Sequence, residues 1–244
     1  MSNVGILGLG RFGKFWATVL SHSHTVYGFN RSVPAEPNCT LVSLEELCKF
    51  PVIFICVPMR TVPEMLKKIA PLLAPDTLVV DTCSVKMEPV RWMKELLPES
   101  VNILATHPMF GPESAKEGLT GLPLMMHPVR MPQNQYDEWS HFFRSLGIMV
   151  VEMTPEEHDR QAALSQALTH MIGRTLNTMG IEETPIGTLW YRKLLAIAKQ
   201  VEKDSPELFD DMQNLNPYAL AMRKDFESAW RTVCNGLTES VHRG

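Results

Sequence analysis

The chain has 244 residues, of which 45% are hydrophobic and 20% charged, with a formal net charge of −4. This composition is typical of a folded protein with its own core, and the length suits one large domain or two small ones. The 23 basic residues do not exceed the 27 acidic ones, and the longest apolar run, residues 52–57, is too short to cross a bilayer. We therefore expect neither nucleic acid nor a membrane as a partner.

The N-terminus and the cysteines indicate a cytoplasmic protein. Residues 1–4 lack the basic stretch that opens a secretory signal. The five cysteines are odd in number and have no C-x-x-C spacing, which favours reduced thiols over disulfides or a zinc site. No set of His, Cys, Asp and Glu residues has the spacing of metal ligands, so we expect no metal.

Strand and helix patterns alternate over the first 150 or so residues. Short apolar runs predict strands, and apolar residues at helical spacing predict the helices between them. The predicted strands are 4–7, 25–29, 52–57, 77–80, 102–105, 123–126 and 149–152. The predicted helices are 12–20, 44–49, 62–73, 87–97 and 136–146. This order predicts an α/β fold, with a mostly parallel, doubly wound sheet of the Rossmann type covered by helices on both faces.

Only helix signals follow residue 152. Thr154 suits an N-cap and Pro155 the first helical position, and both are followed by acidic residues of the first turn. Breaks are expected near 180–185, 205–206 and 214–217. We therefore divide the chain near Met153, into residues 1–153 and an all-α segment 154–244.

The first strand leads into a glycine-rich turn, Gly8-Leu9-Gly10-Arg11-Phe12-Gly13. In a G-x-G-x-x-G that follows a strand and opens a helix, the first glycine permits the tight turn and the second lets backbone N–H groups approach a pyrophosphate. The third glycine permits close helix packing. Residues 1–153 are therefore interpreted as a dinucleotide-binding domain in which the turn contacts the cofactor. The alternative is a glycine-rich turn without a ligand. The predicted cofactor-binding residues of the turn are Gly8, Gly10, Arg11, Phe12 and Gly13.

The end of the second strand favours NADP over NAD. An NAD site usually has an acidic residue there for the ribose hydroxyl, but this chain has Asn30, followed by Arg31 and Ser32. A guanidinium and a hydroxyl can bind a 2′-phosphate that a carboxylate would repel. The alternative is that Arg31 is a solvated loop charge.

Polar residues also follow the three predicted strands 52–57, 77–80 and 102–105. In a parallel sheet, ligands bind beyond the carboxyl ends of the strands, so these residues are candidates for the site. His107 is the sharpest candidate, because it follows a predicted buried strand and its ordinary pKa suits a general base. A structural histidine remains the alternative, as does ordinary loop polarity for each strand end. The other residues expected beside the nicotinamide are Val57, Pro58, Thr61 and Ser84.

The long helix after Thr154 carries Asp159, Gln166 and His170 on one face, at spacings of i, i+7 and i+11. These are poor core residues, and they make sense if the face covers a polar cleft. The alternative is a hydrogen-bond network between helices.

These segments together resemble the prephenate/arogenate dehydrogenase family of tyrosine biosynthesis, over nearly the whole chain. The most specific pieces are the glycine-rich turn, 81–86, 106–113 and 158–170. The amino-acid sequences of 158–170, 205–209 and 216–219 are most similar to those of the NADP-linked arogenate dehydrogenases.

The resemblance implies oxidative decarboxylation of arogenate, or of prephenate, with hydride transfer to NADP⁺. His107 would accept the proton of the ring hydroxyl, and Ser84 would orient His107 or that hydroxyl. Glu113, Gln166 and His170 would line the substrate side, and Asp159 would face the amino group that only arogenate carries. The family also implies that the short helical segment packs against a second copy, so that the protein is a homodimer.

The chain departs from the family where many prephenate-type members carry an arginine for a substrate carboxylate, because residues 208–211 are Leu-Phe-Asp-Asp. Arg174, Arg192 or Arg223 would serve instead, with Arg223 taken as the substrate-binding residue, or a partner subunit would supply the group. One rival is an NADP-dependent dehydrogenase of the β-hydroxyacid type, which usually has a lysine on the long helix; residues 156–179 contain none. Another rival is a non-catalytic NADPH-binding sensor.

Overall fold

A computed structural model describes residues 2–32 and 38–241 of the chain, and the side chains of these residues up to 237. The chain divides into two compact units, Met1–His158 and Asp159–Gly244. The division falls inside a helix, a few residues after the boundary expected near Met153.

The first unit is built on an eight-stranded sheet with the order β3-β2-β1-β4-β5-β6-β7-β8. The strands are β1 (Asn3–Leu7), β2 (Thr25–Phe29), β3 (Thr40–Leu41), β4 (Val52–Ile55), β5 (Leu78–Asp81), β6 (Asn102–Pro108), β7 (Pro123–Arg130) and β8 (Met149–Glu152). Its helices are α1 (Arg11–Leu20), α2 (Leu44–Leu47), α3 (Val62–Ile69), α4 (Met87–Leu96) and α5 (Gln133–Ser145).

The chain starts in the middle of this sheet and winds outward in both directions. β1 pairs in parallel with β2 on one side and with β4 on the other, so the direction of winding reverses between β1 and β4. In a doubly wound sheet, ligands bind beyond the carboxyl ends of the strands at this switch point. The α/β, doubly wound architecture expected from the sequence is confirmed.

Two features of the sheet were not predicted. The two-residue strand β3 pairs in parallel with β2. It is too short to show an apolar alternation. β6 pairs in parallel with β5 but antiparallel with β7, and it continues three residues past its last partner on β5, Ala105. His107 therefore lies within β6 opposite Met125, and the expectation that it follows the strand was wrong.

A cluster of large aromatic side chains fixes α1 and α5 on the sheet. Trp16 is fully buried, and its ring lies 5.6 Å from that of Phe143 and 6.2 Å from that of Phe54. Phe110, just after β6, packs against Trp16 and Phe15 at 6.2 Å from each. The loop that follows His107 is thereby held against the helix that follows the glycine-rich turn.

The second unit contains only helices in its described part. The helices after β8 are α6 (Pro155–Ala162), α7 (Leu168–Thr178), α8 (Leu189–Glu202), α9 (Pro206–Asn214) and α10 (Ala219–Val241). All three expected breaks are present. A π-helical turn, Ala163–Ala167, separates α6 from α7, where the sequence predicted one regular helix. At the end of this wider turn, the carbonyl oxygen of Ala167 accepts a hydrogen bond from Gln213 Nε2, at 2.9 Å.

None of the helices within 2–32 and 38–241 is long and apolar enough to cross a membrane. All five cysteines have free thiols.

Candidate active site

The glycine-rich turn has the geometry that its sequence requires. Gly8 has a φ of +104°, and a Cβ there would lie 2.9 Å from the carbonyl carbon and oxygen of Cys56 and from a methyl carbon of Val57. A Cβ on Gly13 would lie 1.9 Å from the carbonyl oxygen of Gly8. Both positions therefore admit glycine alone, and they bring the start of α1 against the ends of β1 and β4.

The space in front of the turn suits a pyrophosphate. A Cβ built on Gly10 would meet no atom within 4 Å, so this face of the turn is open. Gly10 is the N-cap of α1 without a side-chain cap, and the first turn has no acidic residue. The positive end of the helix is thus available to an anion. The ring of Phe12 stacks on Trp16 at 5.6 Å, so Phe12 would bind a cofactor through its backbone N–H.

Asn30 ties the end of β2 to the glycine-rich turn. Its Oδ1 accepts from the N–H of Leu9 at 3.0 Å, and its Nδ2 donates to the carbonyl oxygen of Ser32 at 2.7 Å. Arg31 and Ser32 are exposed beside it. The structure brings these predicted residues to the side of the turn where an adenosine ribose would lie in a doubly wound fold.

The carboxyl end of β4 lies next to the turn. Val57 is adjacent to Gly8, as the close approach of its side chain shows. Pro58 precedes a 3₁₀ turn, Met59–Thr61, and its carbonyl oxygen accepts from Thr61 Oγ1 at 2.7 Å. These three predicted residues therefore form one short, rigid segment beside the glycines.

A buried ion pair closes the loop after β5. Asp81 and Lys86 are both 0% exposed, and Lys86 Nζ donates to Asp81 Oδ1 and to the carbonyl oxygen of Thr106. Asp81 Oδ1 also accepts from the N–H of Cys83 at 3.0 Å. Burial raises the pKa of Asp81 against the opposing effect of the Lys86 ammonium. The pair holds the 82–85 loop, which carries Ser84, against β6.

His107 projects from β6 beyond the end of β5, in a buried position. Its Nδ1 lies 2.8 Å from Nε2 of His158, the two rings meet edge to face, and the residues are 2% and 3% exposed. The pKa of His107 lies well below its ordinary value, because burial disfavours the charged ring and because His158 and the Lys86 ammonium add to this. His107 is thus neutral at neutral pH, which is the state that accepts a proton.

Ser84 and Glu113 lie in the loops that follow β5 and β6. Ser84 is half-buried in the loop after β5, but among the described residues the hydrogen-bond partner of the His107 ring is His158 and not Ser84. Glu113 lies 3.1 Å from Arg11 of the glycine-rich turn and 2.8 Å from Lys116. Arg11, which is predicted to bind the cofactor, therefore forms an ion pair with Glu113, which is predicted to line the substrate side.

The remaining candidates lie in the second unit. Asp159 is fully buried, and its carbonyl oxygen accepts from Asn216 Nδ2 at 2.8 Å. His170 is 8% exposed, lies 3.8 Å from Asp204, and has a pKa lowered mainly by burial. Its Nδ1 is buried without a hydrogen-bond partner in the described structure. Gln166 is half-buried in the π-helical turn.

Arg223 is held within the second unit by its own contacts. Its Nη1 donates to the carbonyl oxygen and to Oε1 of Gln213, at 2.6 and 3.1 Å. Gln213 in turn caps the π-helical turn at Ala167. A second predicted candidate, Arg174, stacks on Phe209 at 4.6 Å.

His158 and Lys86 are the residues of this site that sequence reasoning did not select. Lys86 belongs to the 81–86 segment, but a separation of five residues from Asp81 indicates no contact until the loop is known to turn. His158 is 51 residues from His107. It begins the 158–170 segment and lies in the first turns of α6, after the Thr154–Glu157 capping box, but neither feature indicates a contact with His107.

Within the described ranges, no group of three or more His, Cys, Asp and Glu side chains could hold a metal ion.

Comparison with known proteins identifies the family of the chain. The profile of the prephenate dehydrogenase nucleotide-binding domain matches residues 32–151, and a TYRAAT1-like C-terminal domain matches residues 175–244. Arogenate dehydrogenase 2, chloroplastic, of Arabidopsis thaliana is 33% identical over 98% of this chain and 71% of that protein. Arogenate dehydrogenase 1 of the same plant is 32% identical over 98% of the chain and 40% of that protein.

A solved structure of a prephenate dehydrogenase has a similar fold. The crystal structure of prephenate dehydrogenase from A. aeolicus, in complex with hydroxyphenyl propionate and NAD⁺, superimposes with a TM-score of 0.76 at 21% identity. The match covers 99% of this chain and 92% of the other. The sequence relationship extends over nearly the whole chain, and the chain therefore belongs to the prephenate/arogenate dehydrogenase family.

Proposed function

We propose that the protein catalyses the oxidative decarboxylation of arogenate, with prephenate as the alternative substrate, using NADP⁺. The observation that carries this proposal is His107, a buried and neutral histidine on β6, in a chain that is 33% identical to a plant arogenate dehydrogenase. A neutral imidazole suits the removal of a hydroxyl proton from a ring carbon that loses a hydride.

The first unit would hold the cofactor through the backbone of the glycine-rich turn, with Arg31 and Ser32 at the 2′-phosphate. The nicotinamide, when bound, supplies the hydride acceptor. The hydroxyl-bearing ring carbon loses its hydrogen with the electron pair, and His107 takes the proton of the hydroxyl. The ring carboxylate leaves as CO₂, so the product ring is aromatic.

Residues of both units are assigned to the substrate by the resemblance. Ser84 would contact the hydroxyl or the nicotinamide side, and Glu113 would line the substrate side from its ion pair with Arg11. Asp159, Gln166, His170 and Arg223 are the candidates of the second unit. Because Arg223 already donates to Gln213, a role in binding a carboxylate would add to that contact.

The deciding experiment is a turnover assay with the purified protein. We expect absorbance of NADPH to grow with arogenate and NADP⁺, and to grow more slowly or not at all with prephenate. Growth with a β-hydroxyacid alone would favour the dehydrogenase rival. NADPH binding without turnover of any of these substrates would favour a non-catalytic sensor.

The cofactor preference is tested at Arg31. Because a guanidinium next to a phosphate makes charge-assisted hydrogen bonds, we expect Arg31→Ala to weaken NADP⁺ binding about 10- to 100-fold and NAD⁺ binding much less. Titration calorimetry with both cofactors measures the two dissociation constants. Lys67→Ala, which removes an exposed cation on α3, is the control. Equal weakening of both cofactors in the Arg31 variant would reject the assignment.

We also propose that the protein is a homodimer formed by its helical unit. This unit exposes large apolar side chains, with Trp190 on α8 70% exposed and Trp230 on α10 61% exposed. Val233 and Leu237 continue from Trp230 at helical spacing, and they are 62% and 64% exposed. An apolar stripe of this kind is expected to be covered by another surface.

We expect light scattering of the wild-type protein to give twice the chain mass of 27.6 kDa. Replacing Trp230 and Val233 together with glutamate should shift the protein towards the monomer, because the charges would be buried at the interface. A wild-type monomer at every concentration would reject the dimer.

A further inference from the structure

The hydrogen bond between His107 and His158 restricts which nitrogen of His107 can act as the base. Nδ1 of His107 is occupied by His158 Nε2 at 2.8 Å, and both rings are almost completely buried. The only ring nitrogen left for a substrate is therefore Nε2. To accept a proton, Nε2 must carry none, so a neutral His107 must hold its proton on Nδ1.

That requirement determines the state of His158 as well. If Nδ1 of His107 carries the proton, it donates to His158 Nε2, which must then offer a lone pair. If His158 Nε2 carried a proton instead, it would donate to His107 Nδ1, and a neutral His107 would hold its proton on Nε2 and could not act as a base there. Only one of the two arrangements of this pair is competent for proton removal.

We propose that His158 is a positioning residue that keeps His107 in the Nδ1-protonated tautomer and orients its Nε2 towards the substrate hydroxyl. This inference rests on the proposed function. His158 contacts no reacting atom in this role. It accepts the Nδ1 proton of His107 before the reaction, and it continues to accept that hydrogen bond after Nε2 of His107 has taken the proton from the hydroxyl.

Burial and the surrounding charges favour the neutral form of His107 that either tautomer requires. The Lys86 ammonium contributes to the low pKa of His107, so His107 is neutral before it meets the substrate. Lys86 is itself held by Asp81 and by the carbonyl oxygen of Thr106, the residue that precedes His107. The strand and the ion pair thus fix the backbone of His107, and His158 fixes its ring.

Two substitutions at position 158 separate a hydrogen-bond role from a packing role. In His158→Gln, a carboxamide oxygen can lie near the place of Nε2 and accept from His107. In His158→Leu, a side chain of comparable bulk offers no acceptor. We expect kcat to fall about 10- to 100-fold in the leucine variant and less than about 10-fold in the glutamine variant. The dissociation constant of NADP⁺ should not change in either variant.

His24→Leu is the matched control, because His24 is a half-buried histidine next to Trp139, at the amino end of β2. Its kcat should equal that of the wild type. Equal losses of kcat in the two His158 variants, or no loss in the leucine variant, would overturn the proposal.

A second measurement does not depend on turnover. Long-range ¹H–¹⁵N spectra of the ¹⁵N-histidine-labelled full chain report the tautomer of each imidazole, and the His107 signals are those that vanish in His107→Asn. We expect His107 to be Nδ1-protonated in the wild type and in His158→Gln, and to lose this preference in His158→Leu. An unchanged tautomer in His158→Leu, or a wild-type His107 protonated on Nε2, would overturn the proposal.

The two measurements distinguish the failure of this inference from the failure of the proposed function. If the wild type turns over neither arogenate nor prephenate, the proposed function fails, while the spectra still test the histidine pair. If the wild type is active and the spectra show no dependence on residue 158, only the positioning role fails.

Discussion

His107→Asn is expected to lower kcat about 10²- to 10⁴-fold, which corresponds to about 3–5 kcal/mol of the activation barrier. Asparagine can place a polar atom near Nδ1 of the original ring and so keep a hydrogen bond with His158. It has no basic nitrogen at the place of Nε2. The loss should therefore report the missing proton acceptor, and steady-state assays with arogenate and NADP⁺ measure it.

The cofactor provides the first control for this variant. NADP⁺ should bind His107→Asn as tightly as the wild type, because the glycine-rich turn is unchanged. His127→Asn is the second control, since His127 is a half-buried histidine on the neighbouring strand β7, opposite Ala105. It should leave kcat near the wild-type value. Turnover of His107→Asn close to that of the wild type would exclude His107 as the base.

Lys86→Met is expected to lower the free energy of unfolding by about 3–5 kcal/mol, because it leaves Asp81 buried without its counter-charge. Methionine matches the length of the lysine stem, so the change removes a charge and leaves little empty space. The carbonyl oxygen of Thr106 and Asp81 Oδ1 both lose a donor. Urea denaturation followed by tryptophan fluorescence measures the effect, because Trp16 and Trp139 lie in the core of the same unit.

The double variant Lys86→Met with Asp81→Leu tests the reason for this loss. With both charges removed, no unpaired carboxylate stays buried. The double variant should therefore have a higher free energy of unfolding than Lys86→Met alone. Lys68→Met is the matched control, because its ion pair with Glu64 is exposed, and we expect its unfolding midpoint to stay near that of the wild type. An unfolding midpoint of Lys86→Met equal to that of the wild type would contradict the importance of the buried pair.

Most of the sheet could be predicted because its strands carry their signals locally. β4 is a continuous apolar run and β5 is apolar up to Val80, as expected for strands buried on both faces, and the glycine-rich turn specifies the start of α1. The direction of β7 could not be predicted in this way. The side chains of a strand alternate between the two faces of a sheet whether the strand pairs parallel or antiparallel with its neighbour. The direction of β7 therefore depends on the path of the loop between β6 and β7.

The candidate site was predictable to the extent that its residues lie near the carboxyl ends of strands. His107, Ser84 and the residues after β4 were selected by that rule, although β6 extends past His107. His158 was not, because its contact with His107 joins positions far apart in the chain and depends on the placement of α6. Asp81 and Lys86 are only five residues apart, but their contact depends on how the loop between them turns. This loop has no periodic pattern of apolar residues from which its path could be predicted. Contacts of this kind arise from tertiary packing.

The π-helical turn at Ala163–Ala167 has a consequence for how this helix tolerates changes in length. Each residue of a regular α-helix advances the side chains by about 100°, because 3.6 residues make one turn. A π-helical turn takes up one more residue than an α-helical turn in nearly the same arc. Deleting one residue within Ala163–Ala167 would therefore restore a regular helix and leave His170 close to the buried side on which it now lies. The same deletion inside the regular helix α7 would instead rotate every later side chain of that helix by about 100°. The turn is thus the part of this helix at which the loss of one residue disturbs the later residues least.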